Sequence, residues 1–301
     1  MRILLLGKNG QVGWELQRAL SPLGEVIACS HAEADLEAPD QLRKLVRNIL
    51  PAVVVNAAAY TAVDKAESDT KRAMRVNGEA VGVLAEETRR LGGWLVHYST
   101  DYVFDGNKNG YYTETDMVAP QSVYGNSKLA GENAIQQSGC RHLIMRTSWV
   151  FAMRGGNFAK TMLRLAKDRD ELKVVNDQIG VPTNADLIAD VTALALNRIF
   201  NDPGFAERTK GIYHLAPAGE TSWHGYAKFL IGEARRLGVS LRTIPERVLP
   251  IGTSDYPTLA RRPANSRLAT TKLRETFGLK LAPWELAVTR WLTQMHDMGV
   301  T

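Results

Sequence analysis

The chain has 301 residues, 45% of them hydrophobic, which is enough apolar material for one large domain or two modest ones with a normal core. Its 37 Lys and Arg are interspersed with 32 Asp and Glu, giving a net charge of +5 with no aromatic-basic reading module. Nucleic acid is therefore not an expected partner, whereas a phosphate-bearing small molecule suits the balance. Cys29 and Cys140 have no metal-ligand spacing and make no disulfide framework, which fits a reducing cytoplasm. The apolar run 3–6 is too short for a signal or membrane segment, and no later run reaches about 18 apolar residues, so neither secretion nor a membrane is expected.

The first predicted strand, 3–6, runs into Gly7-Lys8-Asn9-Gly10-Gln11-Val12-Gly13, and an amphipathic helix over 11–20 follows with Leu16 and Leu20. In a dinucleotide site such glycines allow the tight turn, the backbone's approach to a pyrophosphate and the packing of helix on strand. The spacing G-x-x-G-x-x-G resembles short-chain and extended short-chain dehydrogenases, against the plainer reading of a strand-to-helix turn. The second strand, 26–29, ends in Ala28-Cys29-Ser30-His31, without the carboxylate that binds the ribose 2′-hydroxyl in an NAD site. NADPH is then the expected hydride source; with no Arg to grip its 2′-phosphate, NADH is expected to serve as well. Asp35-Leu36 reads either as the pair under the adenine or, for Asp35, as a capping or loop residue.

A helix over 39–50 precedes the third strand, 53–57, whose end carries Asn56-Ala57-Ala58-Ala59. Helical periodicity covers 70–91, and the fourth strand, 94–98, ends in Ser99-Thr100-Asp101-Tyr102-Val103-Phe104. Tyr124-Gly125-Asn126-Ser127-Lys128 opens a helix over 125–138. Four residues apart, Tyr124 and Lys128 share one helix face, so the ammonium can stand near both phenol and cofactor ribose and stabilise phenolate. Thr100, at a strand's carboxyl end, is placed to hydrogen-bond the same substrate oxygen. A fifth strand at 143–145 completes an alternation of apolar strands and helices that predicts an α/β fold, a Rossmann-type doubly wound parallel sheet.

Beyond about residue 150 the pattern loosens. Helices are expected over 158–167, 186–199, 222–237, 270–277 and 283–296, strands at 172–176 and 211–215, and an irregular Pro-rich segment over 244–265. The chain divides into a dinucleotide half, 1–150, and a mainly substrate-binding mixed half, 151–301, with some elements returning to the first sheet. His97, His142 and His214 read as satisfied core residues.

The chain resembles the dTDP-4-dehydrorhamnose reductases, extended short-chain dehydrogenases, over nearly its full length. The residues that carry this are 56–67 from Asn56 to Glu67, 99–104, Arg146-Thr147-Ser148-Trp149-Val150, Asn157-Phe158, Asp177-Gln178 and Pro182-Thr183. Late in the chain Tyr256-Pro257-Thr258, Arg262-Pro263 and Asn265-Ser266-Arg267-Leu268 are also similar. The resemblance implies reduction of the 4-keto group of dTDP-4-dehydro-β-L-rhamnose to dTDP-β-L-rhamnose, a cell-surface polysaccharide precursor, by a cytoplasmic homodimer. It implies Tyr124 as proton donor, Lys128 as ribose anchor and Thr100 as tuner of the hydrogen bond. Gly7, Gly10, Gln11, Val12, Gly13, Asp35, Leu36, Ala58, Ala59, Tyr60 and Thr61 would hold the cofactor, and Asp101 and Trp149 the deoxyhexose.

Arg261 and Arg262 with Arg267 would serve the diphosphate, against a solvated basic loop. Some relatives bind Mg2+, but no compact carboxylate cluster is legible, so no metal residue is assigned. Two rivals remain at this point: an epimerase or dehydratase that regenerates a tightly held cofactor, and a non-catalytic scaffold of the same fold. Against a dehydratase, Thr100 is followed by Asp101-Tyr102 and not by the acidic pair common in those enzymes, and the intact Thr100, Tyr124 and Lys128 oppose the second.

Overall fold

In the computed structural model, which describes residues 1–299, the centre of the molecule is a sheet of six parallel strands. β1 (Arg2–Leu6), β2 (Glu25–Cys29), β3 (Val53–Asn56), β4 (Trp94–Thr100) and β5 (Arg141–Thr147) come from the first half, and strand Gly211–His214 joins β5 from the second. The spatial order is β2-β1-β3-β4-β5 followed by Gly211–His214. Both faces are covered, which is why these strands read as unbroken apolar runs.

The alternation of strand side chains sorts the core into two layers. Ile3, Leu5, Val53, Val55, Val96 and Met145 face α1 (Gln11–Leu20) and the helix Ala185–Asn201. Leu4, Leu6, Val54, Leu95 and Ile144 face the other side. The chain there runs through α2 (Pro39–Ile49), the short α3 (Val63–Ala66) and α4 (Thr70–Met74), then α5 (Ala80–Arg90) and α6 (Val123–Ser138). A third apolar cluster, separate from the sheet, joins the helices Phe158–Asp168, Trp223–Arg236 and Trp284–Asp297 through Phe151, Tyr226, Trp284 and Trp291.

Three differences from the sequence reading have identifiable physical causes. The helix expected over 70–91 is broken by a π-helical turn at Arg75–Glu79, where Asn77 turns inward to bind the Tyr60 backbone and the Ser127 hydroxyl. The segment 244–265 is not wholly irregular: Val248–Ile251 pairs in parallel with Leu172–Val175, a long-range ladder that local pattern cannot announce. Helix Pro203–Thr209 was not anticipated, although its signals are plain, with Pro203 in the first turn and Asp202 accepting the Phe205 N–H. Among the described residues no helix is long and apolar enough to cross a membrane.

Candidate active site

β1 is flanked by β2 on one side and β3 on the other, so the chain reverses its winding direction there and a crevice opens at the carboxyl ends of β1 and β3. The glycine loop emerges into it. Gly7 takes φ +84°, and the Gly10 amide donates to its carbonyl at 2.9 Å. A Cβ on Gly13 would stand 2.0 Å from the Gly7 oxygen, and one on Gly7 2.8 Å from the Ala58 nitrogen. The loop is thus pressed between its own helix and the end of β3, where only glycine fits. α1 begins at Gly10 with no side chain capping the amides of its first turn. An uncapped N-terminus behind a glycine turn is chemically suited to a pyrophosphate, so these residues fit a dinucleotide.

The other expected cofactor residues surround this crevice with individual differences. Gln11 is tied across to the second lobe by Asn157 Nδ2 at 3.1 Å, and Val12 is half-buried. Ala58 and Ala59 are half-buried and Thr61 is exposed, while the Tyr60 hydroxyl donates to Asp69 at 3.2 Å. Leu36 is buried; Asp35 accepts the Glu37 amide at 2.8 Å, the turn-forming role that stood as its plainer reading. The expectation of no carboxylate at the end of β2 needs correction. Glu33 folds back to accept the Ser30 amide at 2.7 Å and the Lys8 ammonium at 2.6 Å. Held by Lys8 first and then by Ser30, its carboxyl is lowered to about 2. A carboxylate four residues past the strand reaches back to the strand end, and its charge is already matched by Lys8.

Tyr124 lies in the first turn of α6, whose N-cap Ser122 accepts the Gly125 amide at 3.1 Å. A Cβ on Gly125 would stand 2.3 Å from the Tyr102 carbonyl oxygen, so the helix start packs backbone against the turn that follows β4. That contact brings Tyr124 beside the Thr100–Asp101 pair. Burial, then the Asp101 charge, pushes the Tyr124 phenol above its ordinary range, with the Thr100 hydroxyl opposing. Thr100 Oγ1 donates to Asp101 Oδ1 at 2.9 Å, and Asp101 Oδ2 is buried without a partner. Burial raises the Asp101 carboxyl to about 6 despite the neighbouring Ser266 and Thr100 hydroxyls.

Lys128 is fully buried, and its Nζ donates to the Tyr98 carbonyl at 2.6 Å and stands 3.2 Å from His97 Nε2. Burial lowers it to about 8. The expected lowering of the phenol by this lysine is therefore not what the structure displays. The amine is turned toward the strand, and desolvation of the phenol decides the sign.

Beyond Tyr102, whose ring meets Tyr124 edge-on with centroids 5.5 Å apart, a cavity of about 830 Å³ opens between the two lobes. Tyr102, Trp149, Phe158, Gln178, Trp223 and Ser266 are among its walls. Trp149, at φ +48°, stacks on Trp223 with centroids 3.6 Å apart, and Trp223 Nε1 donates to Gln178 Oε1 at 3.2 Å. The aromatic wall was half legible: Trp149 stood out, but its partner Trp223 comes from a helix 74 residues later and carries no local signal.

The expected diphosphate arginines are engaged within the protein. Arg262 binds Asp64 at 2.5 Å and the Tyr102 hydroxyl at 3.1 Å, Arg267 holds Asn265 at 2.8 Å, and Arg261 reaches Gln121 at 3.3 Å. Only Arg262 lines the large cavity. Among the described residues no cluster of three or more His, Cys, Asp or Glu could hold a metal ion.

Residues 1–297 match the family model described as the RmlD substrate binding domain. A dTDP-4-dehydrorhamnose reductase of Burkholderia thailandensis is 53% identical over 288 residues, covering 96% of this chain and 97% of the relative. The enzyme of that name from Escherichia coli K12 is 50% identical, covering 98% of each chain. Among solved structures, a dTDP-4-dehydrorhamnose reductase from Clostridium acetobutylicum superposes with a TM-score of 0.87 at 34% identity, over 98% of this chain and 100% of the other. The one from Bacillus anthracis in complex with NADP gives 0.86 at 32% identity, over 97% and 99%. With the glycine crevice, the Tyr124–Lys128 helix and the interlobe cavity all present, the chain belongs to the dTDP-4-dehydrorhamnose reductase family.

Proposed function

We propose that this protein reduces the 4-keto group of dTDP-4-dehydro-β-L-rhamnose to dTDP-β-L-rhamnose, using NADPH and accepting NADH. The observation that carries this reading is Tyr124 beside Thr100 and Asp101 at the end of β4, its ring edge-on to Tyr102, which lines the aromatic cavity. Gly7, Gly10, Gln11, Val12 and Gly13 would bind the pyrophosphate, Ala58 to Thr61 the ribose end, and Lys128 the nicotinamide ribose. A nicotinamide bound there supplies the hydride that C4 receives.

Tyr124 then gives its phenolic proton to the C4 oxygen, and the phenolate is reprotonated from solvent. A phenol lifted above its ordinary range by burial holds its proton at neutral pH, which is the state a donor in the reductive direction needs. Asp101, whose Oδ2 has no partner, would accept a sugar hydroxyl, and the Trp149–Trp223 stack would present a flat wall to the deoxyhexose. Arg262 would reach the diphosphate at the cost of its pairing with Asp64. Residues 1–150 form the dinucleotide half and 151–301 mainly the sugar half in this reading, which also takes the protein as a cytoplasmic homodimer.

The test is NADPH consumption with dTDP-4-keto-6-deoxy-L-mannose against its 4-keto-6-deoxy-D-gluco counterpart. Rapid oxidation with the L-sugar alone is expected, and Tyr124→Phe should lower turnover about 100-fold or more while leaving NADPH binding near normal. Turnover without added NADPH, on protein carrying stoichiometric NAD, would overturn the reductase reading in favour of an epimerase.

A further inference from the structure

A row of polar groups runs under the site from β3 through β4 to α6, and its middle member has no part in the steps above. Asn56, which ends β3, and His97, its register partner on β4, are each only 1% exposed. Asn56 Oδ1 accepts the Ala58 amide at 3.2 Å. That amide can only donate, so the side-chain oxygen must face it and the NH2 must face His97 Nδ1, 3.2 Å away. An NH2 can likewise only donate. His97 Nδ1 must offer its lone pair, and the neutral ring then carries its hydrogen on Nε2.

Nε2 in turn lies 3.2 Å from Lys128 Nζ. An N–H aimed at an amine lone pair is a hydrogen bond; aimed at an ammonium it is a repulsion between two donors. The row is satisfied throughout when Lys128 is neutral. When Lys128 is charged, either His97 keeps its hydrogen and confronts the ammonium, or it moves the hydrogen to Nδ1 and confronts the Asn56 NH2. Frustration of this kind in a dry interior is expensive.

We infer that Asn56 and His97 are positioning residues for Lys128, which hold the imidazole in its Nε2–H form, oppose the ammonium charge and so set the pH at which Lys128 acquires it. The ionisable groups around the row are few. Glu132, one turn along α6, draws the Lys128 proton in but is itself clamped by Arg146 of β5 at 2.9 and 2.6 Å. Tyr124 shares α6, while Tyr98 and Asp101 lie on and just after β4. Burial and then Lys128 keep His97 itself uncharged, well below its ordinary range. Lys128 is thereby left near a charge boundary within the working pH range, four residues from the phenol that gives the proton.

The inference rests on the reductase reading only for its kinetic consequence, so it is tested in two ways. In the full chain labelled with 15N-histidine at pH 9, with and without NADP+, His97 is expected to show a pyridine-like Nδ1 and a pyrrole-like Nε2. A pyrrole-like Nδ1 overturns the inference whether or not the protein turns over a keto sugar, and failure of the assay above leaves this measurement intact. In the second, His97→Gln can bring a carbonyl oxygen to Nζ, an acceptor that favours the ammonium. The pH inflection of kcat/KM that Lys128 causes should then rise by about one pH unit. A uniformly lower kcat with the inflection unmoved is what packing alone would give, and it contradicts the assignment. Should the variant not fold, the tautomer of the unaltered protein decides.

Discussion

Proton placement at Tyr124 and Asp101 is governed by burial. Tyr124 is desolvated and faces Asp101, so its phenol keeps its proton, as the proposed donor to a C4 alkoxide must. Asp101 is pulled the same way, raised from 3.8 to about 6 by burial. A carboxyl whose folded value lies above its unfolded value favours the folded state below the unfolded value and loses that advantage as pH rises through the folded one. Between pH 4.5 and 7.5 the protein should therefore lose about 2 kcal/mol relative to an Asp101→Asn variant, whose side chain does not titrate. Urea unfolding of both at pH 4.5 and 7.5 reads this directly; a difference in stability that stays constant with pH would show that Asp101 is not held dry.

At the scale of elements, α6 and the turn after β4 form one device. The 2.3 Å approach that a Cβ on Gly125 would make to the Tyr102 carbonyl cannot be relieved by rotating a side chain. Gly125→Ala should destabilise the protein by about 1–3 kcal/mol and lower kcat more than it weakens NADPH binding. Asn133→Ala, on the exposed face of the same helix, should stay within about 0.5 kcal/mol. Thermal unfolding with cofactor titration separates the two, and equal losses in both variants would refute the contact's role. Tyr124 and Lys128 were legible from their spacing because helix geometry is local. The opposite direction of the phenol's shift was not, because it depends on burial and on the Asp101 charge, both set by how α6 docks on the turn after β4. Glu33 escaped for a related reason: it lies beyond the strand end, and its carboxylate returns there through a turn.

In the whole molecule, a parallel sheet carries the glycine loop, and a third apolar cluster around Trp284 and Trp291 stands apart from it. The glycine loop, the strands and the two-layer core were readable because apolar runs and their alternation with helices are properties of neighbouring residues. The Trp149–Trp223 stack, the Leu172–Val175 pairing with Val248–Ile251 and the Arg262–Asp64 bridge join segments 74 or more residues apart. No window of sequence contains them. In the proposed reaction hydride and proton arrive across this lobe boundary at one sugar carbonyl, the hydride at C4 and the proton at its oxygen. Turnover of dTDP-4-keto-6-deoxy-L-mannose with NADPH deuterated at the nicotinamide C4, in each of its two stereoisomers, tests it most directly. One stereoisomer alone is expected to deliver deuterium to C4 of the rhamnosyl product, seen by NMR. Product without label from either stereoisomer, or label at another sugar carbon, would contradict it.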